Sequence, residues 1–86
     1  MALRLPKVIK AFPGWTIKVN VLPGKFIDET YAVGADEVLE GIWDYSAMSI
    51  YIRKSMSNKK KLKVLGHELV HALNDWSAWV EENLKG

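Results

Sequence analysis

Histidine occurs twice in this chain, at His67 and His71, and a glutamate, Glu68, directly follows the first. On a helix, residues four apart sit one above the other on the same face. Two imidazoles placed in that way can grip one zinc ion through one ring nitrogen each. Glu68, one position on, then lies beside the metal, where a water molecule would bind. Such a set points to hydrolysis: zinc acidifies water and polarises a carbonyl, and the carboxylate takes up the proton.

The flanks favour a half-buried helix. Leu65, Leu69, Val70, Ala72 and Leu73 are apolar, Gly66 is small, and Glu68 is the one charged residue between Leu65 and Leu73. Turning each residue by about 100° gathers Leu62, Leu65, Gly66, Leu69 and Leu73 on one face, which is expected to be the core side. His67 and His71 then fall nearly opposite, with Val64 between them, and point to a groove or to solvent.

A catalytic zinc site ordinarily uses three protein ligands and leaves one position open. Both histidines are spent and there is no cysteine, so a third ligand from this chain is expected to be a carboxylate. Leaving Glu68 aside, nine remain: Asp28, Glu29, Asp36, Glu37, Glu40, Asp44, Asp75, Glu81 and Glu82. Asp75 shares the histidine face but lies a further turn, about 5.4 Å, along the axis. It reaches the metal if the helix ends at Asn74 and otherwise acts as a cap or an outer partner. Glu81 or Glu82 can return to the metal if the chain turns near residues 74–77. Glu81 flanks the face shared by Trp76, Val80, Asn83 and Leu84 and is preferred, with Asp75 and Glu82 as alternatives. Tyr45, Tyr51 and Arg53 are candidate donors to a developing oxyanion, and Tyr51 and Arg53 are candidate substrate contacts.

The elements that must hold these residues follow from periodicity. In residues 15–22, Trp15, Ile17, Val19 and Val21 alternate with Thr16, Lys18 and Asn20, the pattern of a half-buried strand between the Pro13-Gly14 and Pro23-Gly24 turn signals. Residues 1–14 are mixed, and 25–40 hold short apolar runs among acids, compatible with a helical turn over 35–39. Residues 41–45 and 48–53 read as a hairpin with Ser46 and Ala47 at the turn. Ser57 or Asn58 is an N-cap for a helix over about 59–74, followed by a short helix over about 77–84. The expected fold class is α+β: a small antiparallel sheet of about three strands packed on the histidine helix, with a short C-terminal helix.

Eighty-six residues fit one small domain, spanning 1–86. A core of that size is marginal without help, which a bound zinc would supply. The four tryptophans can carry much of it. The absence of cysteine excludes disulfides and thiolate ligands and fits the cytoplasm. No stretch approaches the about 20 apolar residues of a membrane span, and the charges near the N-terminus are too closely spaced for a signal peptide. A net charge of +2 is too weak to imply a nucleic-acid partner. The lysines at 59, 60, 61 and 63 have no interleaved aromatics and read as a solvated face. No membrane partner is expected, and nothing in the sequence sets an oligomeric state.

Residues 65–73 resemble the active-site helix of zincin metallopeptidases. The wider stretch, from Gly41-Ile42-Trp43-Asp44-Tyr45 to Asp75-Trp76, is similar to short H-E-x-x-H proteins of phage and prophage genomes and, more distantly, to SprT-like domains. In those families a strand or hairpin of the pattern G-x-W-D … x-I-x-I precedes the zinc helix. The resemblance implies zinc ligation by His67 and His71, Glu68 as general base, and residues 48–53 as the sheet-edge strand that pairs with an extended peptide or protein substrate. It departs from the metzincin extension, which has glycine and histidine where this chain has Asn74 and Ser77. The alternative it leaves is a module of the same fold that keeps zinc and binds a partner without efficient proteolysis.

Overall fold

Apolar alternation builds the sheet, and the turn residues set its ends. The computed structural model describes residues 4–31 and 39–84. Its elements in chain order are β1 (Val8–Ile9), β2 (Ile17–Leu22), α1 (Gly24–Tyr31), β3 (Gly41–Asp44), β4 (Ser49–Arg53) and α2 (Asn58–Leu84). Before β2 the chain reverses at Pro13-Gly14, where Trp15 N–H donates to the Phe12 carbonyl at 2.9 Å. Gly14 has φ of 87°, the left-handed value that the third residue of a type II turn requires.

The fold is α+β, with a four-stranded sheet in the order β1-β2-β4-β3. It is mixed rather than antiparallel, because β2 and β4 run parallel, Val19 beside Ile50 and Val21 beside Ile52. The two outer pairs are antiparallel. The parallel pair arises because α1 and β3 intervene between β2 and β4, so β4 enters beside β2 in the same direction. The hairpin forms at Tyr45 to Met48, with Ser46 and Ala47 at its tip, and Asp44 Oδ1 accepts from Ser46 Oγ at 2.7 Å and from Ala47 N–H at 3.2 Å.

Helix α1 was not evident from the sequence. Ile27 is fully buried and Tyr31, four residues on, is partly buried on the same side. It covers one face of the sheet, where Phe26 and Tyr31 lie against Tyr51 with ring centroids 6.2 and 5.9 Å apart. Of the helical turn read at 35–39, all but Leu39 lies outside the described residues.

Helix α2 covers the other face. Ser57 caps it, its Oγ accepting from Lys60 N–H at 3.2 Å. It runs without a break to Leu84, so the separate helix read at 77–84 is its continuation. No glycine or proline falls between Asn74 and Ser77, and tertiary contacts hold that region helical. Trp76 stacks on Phe12 at 5.8 Å and donates Nε1–H to the Pro13 carbonyl at 3.0 Å. Trp79 packs against Trp15 at 5.8 Å.

The buried side of α2 differs from the leucine face expected. Val64, Leu65, Glu68 and Ala72 are buried, while Gly66 and Leu73 are exposed. The core stripe is thus turned by roughly 100° towards Trp76 and Trp79. A tryptophan buries far more apolar area than a leucine, so the two indoles set which side of the helix faces inward. The core joins Trp15, Ile17, Val19, Ile50 and Ile52 to Val64, Leu65 and Ala72. No helix among the described residues is long and apolar enough to cross a membrane.

Candidate metal centre

Turning the core stripe brings the histidines from the back of α2 to the shoulder of the sheet. Both rings stay exposed, and their Nε2 atoms stand 3.3 Å apart. Two nitrogens bound to one tetrahedral zinc at the usual bond length lie about 3.3 Å from each other. The rings, with centroids 5.0 Å apart and planes at 79°, therefore already hold the donor spacing that zinc needs. A hydrogen bond between neutral rings would tolerate the same spacing. What a metal site adds is a carboxylate set beside the pair.

Glu68 is that carboxylate. It is 8% exposed, one of two polar residues in the buried set. None of the side-chain hydrogen bonds among the described residues ends on it, and no buried side-chain oxygen lacks a partner. Among the described residues nothing binds its carboxylate, and Glu68 lines the groove rather than the sealed core. Glu68 and His67 line two adjoining hollows, of about 410 and 460 Å³. The first extends to Glu40, Lys60 and Lys63, and the second takes in His71 and extends to Trp43, Asn74 and Asp75. Together they form one groove between α2 and β3.

Gly41 makes that groove, and the sequence reading did not single it out. A Cβ there would come 2.5 Å from Val64 Cγ1 and 3.5 Å from Glu68 Cγ. Only a residue without a side chain lets α2 settle this close to β3. A glycine opening a strand was the available signal, since it marks close backbone approach. Trp43, two residues on, donates Nε1–H to Asp75 Oδ2 at 2.7 Å and ties the strand to the helix one turn beyond His71.

Among the described residues strand β3 lies at the edge of the sheet, and the segment 48–53, expected there, instead carries the inner strand β4 over Ser49–Arg53. Arg53 N–H donates to the Glu40 carbonyl. The alternation of an antiparallel ladder then turns the N–H and C=O groups of Gly41 and Trp43 outward, along the groove. Tyr51 and Arg53 do not reach it. Their side chains point to the α1 face, Tyr51 among aromatic rings and Arg53 bound through Nη2 to Asp28 at 2.6 Å and through Nε to the Leu39 carbonyl at 2.9 Å. Tyr45 is exposed at the hairpin turn, edge-on to Trp15.

The carboxylates sort themselves by place. Glu81 and Glu82 are exposed, and because α2 does not turn, Glu81 lies ten residues, about 15 Å along the axis, beyond His71. The continuous helix does not bring either to the histidines. Asp75 stays on their side of the helix, engaged by Trp43. Asp28 is taken by Arg53, and Glu40 meets Lys60 at 3.4 Å at the groove mouth. Asp44 faces α1, where Tyr31 Oη donates to its Oδ2 at 2.9 Å. The Ser46 and Tyr31 hydrogen bonds hold Asp44 below its ordinary pKa, while burial, and then the bond to Asp44, pushes Tyr31 up. Asp36 and Glu37 lie outside the described residues. Among the described residues no cluster of three His, Asp or Glu side chains gathers at one point.

The chain matches no family model, no curated protein and no solved structure. The functional reading therefore rests on this geometry: two imidazole nitrogens at metal spacing, a groove-lining carboxylate beside them, and a strand edge along the groove that no described residue pairs with.

Proposed function

We propose that this protein is a zinc-dependent peptidase that cleaves an extended peptide lying in the groove between β3 and α2. The observation that carries the reading is the 3.3 Å separation of the His67 and His71 Nε2 atoms beside the groove-facing carboxylate of Glu68. His67 and His71 would hold the metal. Bound there, zinc would supply a Lewis acid that acidifies water and polarises a scissile carbonyl. Remaining ligand positions would fall to solvent, substrate or a carboxylate beyond this pair, among which Asp75 lies nearest in sequence on the same wall.

The chain's own residues account for the other steps. Glu68, set one residue after the first ligand, takes the proton from the attacking water and returns it to the leaving amine. Its place in the lining of the groove beside His67 supports both roles. The outward N–H and C=O groups of Gly41 and Trp43 can pair with a peptide backbone as an added strand, which fixes the bond to be cut next to Glu68. This main-chain pairing is indifferent to side chains, so sequence preference would come from groove walls such as Lys63 at one end and Asn74 at the other. A soluble, cytoplasmic setting is consistent with the cysteine-free composition.

The test is Glu68→Gln. The variant should keep its fold and its zinc but lose peptide hydrolysis by about 10²- to 10⁴-fold. Undiminished cleavage would remove Glu68 from the mechanism. Partner binding without cleavage by the wild-type protein would favour the non-catalytic module.

A further inference from the structure

The face of α2 turned away from the sheet carries a second stripe of small and apolar residues that the described residues leave largely bare. Gly66, Val70, Leu73, Ser77, Val80 and Leu84 follow one another at alternating steps of four and three residues, the spacing of a helix–helix seam. Val70 is 57%, Leu73 43% and Leu84 76% exposed. Nothing lies within 4 Å of where a side chain on Gly66 would sit. The two tryptophans of α2 have drawn the opposite side into the core, so among the described residues this stripe finds no cover except at the partly buried Val80, and contiguous bare apolar surface of this kind marks an interaction site. Charge is arranged along one flank. Lys63 lies at the N-terminal end and Glu81 at the C-terminal end, and neither takes part in an ion pair among the described residues.

We propose that this stripe pairs antiparallel with the same stripe of a second copy of the chain. From Gly66 to Ser77 the residue order is self-complementary about a twofold axis midway between Val70 and Leu73, and beyond it Val80 and Leu84 lie over the aliphatic stems of Lys63 and Lys59. Val70 of each copy meets Leu73 of the other. Gly66 meets Ser77, so the two smallest residues coincide where the backbones come closest. Lys63 then faces Glu81 across the seam, twice. A parallel pair would put the flank of Lys63 and Glu81 on opposite sides of the seam in the two copies, leaving neither charge a partner of opposite sign from that flank, and would lay the helix dipoles side by side in the same sense. The order of residues therefore selects the antiparallel arrangement. The apolar pairing does not depend on the zinc reading, because Val70 and Leu73 lie on the side of α2 beyond the histidines; Lys63 alone borders both the seam and the groove.

Sedimentation velocity of the full chain over a range of concentrations tests this. The wild type should dimerise at tens of micromolar or below. Val70→Glu with Leu73→Glu should weaken the dimer by at least about 100-fold with the helical circular dichroism unchanged, since both positions face water in the protomer. Lys63→Glu alone and Glu81→Lys alone should each weaken it about fivefold, and the two together should restore it. A wild type that stays monomeric, or a dimer that survives the paired glutamates, would overturn the proposal. Failure of the charge swap to restore pairing would overturn the antiparallel register. Should the paired glutamates unfold the protein, the charge-swap series decides by itself.

Discussion

Replacing Gly41 with alanine should loosen the histidine helix from the sheet edge, and the structure sets the size of the effect. The new Cβ would lie 2.5 Å from Val64 Cγ1 and 3.2 Å from the Tyr51 carbonyl oxygen. Carbon pairs are at ease near 3.5–4.0 Å, so the first contact must open by about 1 Å. Val64 cannot swing aside, because a β-branched side chain keeps one χ1 rotamer in a helix. The Tyr51 carbonyl is backbone of the β4 ladder and cannot yield without loss of strand pairing. Relief therefore requires α2 to lift from β3. Overpacking of this kind costs about 1–3 kcal/mol, and a domain of this length loses roughly 4–8 °C of Tm for each kcal/mol. Val64→Ala removes the clashing carbon, so Gly41→Ala should cost about 1 kcal/mol less in that background. Urea denaturation followed by tryptophan fluorescence, run on all four members of the cycle, measures both quantities. A Gly41→Ala protein as stable as the wild type, or a strictly additive cycle, would refute the close approach of helix and strand.

Other expectations follow from single contacts. Trp43→Phe removes the donor to the partly buried Asp75 carboxylate and should cost about 1.5–3 kcal/mol, read by the same denaturation; Asp75→Asn should shrink that loss. The Tyr31–Asp44 pair should make stability fall at both ends of the pH scale. Asp44 is held below its ordinary 3.8, so its contribution is complete above that value and is lost as pH drops through the lowered one. Tyr31 is raised above its ordinary 10.0, so its share is complete below that value and is lost as pH rises towards the raised one. Asp44→Asn should flatten the acid limb and Tyr31→Phe the alkaline limb in melts recorded across pH. Glu81→Ala and Glu82→Ala should leave zinc stoichiometry unchanged, because the continuous helix carries both away from His71; metal analysis after dialysis checks this.

The histidine motif, β2, the hairpin and the Ser57 cap were legible because each is local. Two imidazoles four apart, a period-two run and a hydroxyl before a helix declare themselves within a few residues. The orientation of α2 was not legible. Counting leucines placed the core on one side, whereas the size of Trp76 and Trp79 and their partners Phe12, Pro13 and Trp15, some sixty residues earlier, decided it. Those same long-range contacts keep the helix unbroken past Asn74, which is why Glu81 does not return to the histidines. The edge position of β3 was hidden for a related reason. A hairpin read from sequence does not say which of its strands will meet a third, and the parallel docking of β2 beside β4 settles that. Helix α1 escaped notice because it spans only eight residues, with its apolar anchors Ile27 and Tyr31 separated by acids.

The account stands on zinc held between His67 and His71. A crystal grown from zinc-loaded protein, with anomalous scattering recorded on both sides of the zinc edge, addresses it directly. The expected result is one zinc site per chain bonded to both Nε2 atoms, with the Glu68 carboxylate beside it and not bonded to it. Protein that takes up no zinc, or a zinc peak bound elsewhere while these two rings remain bare, would contradict it.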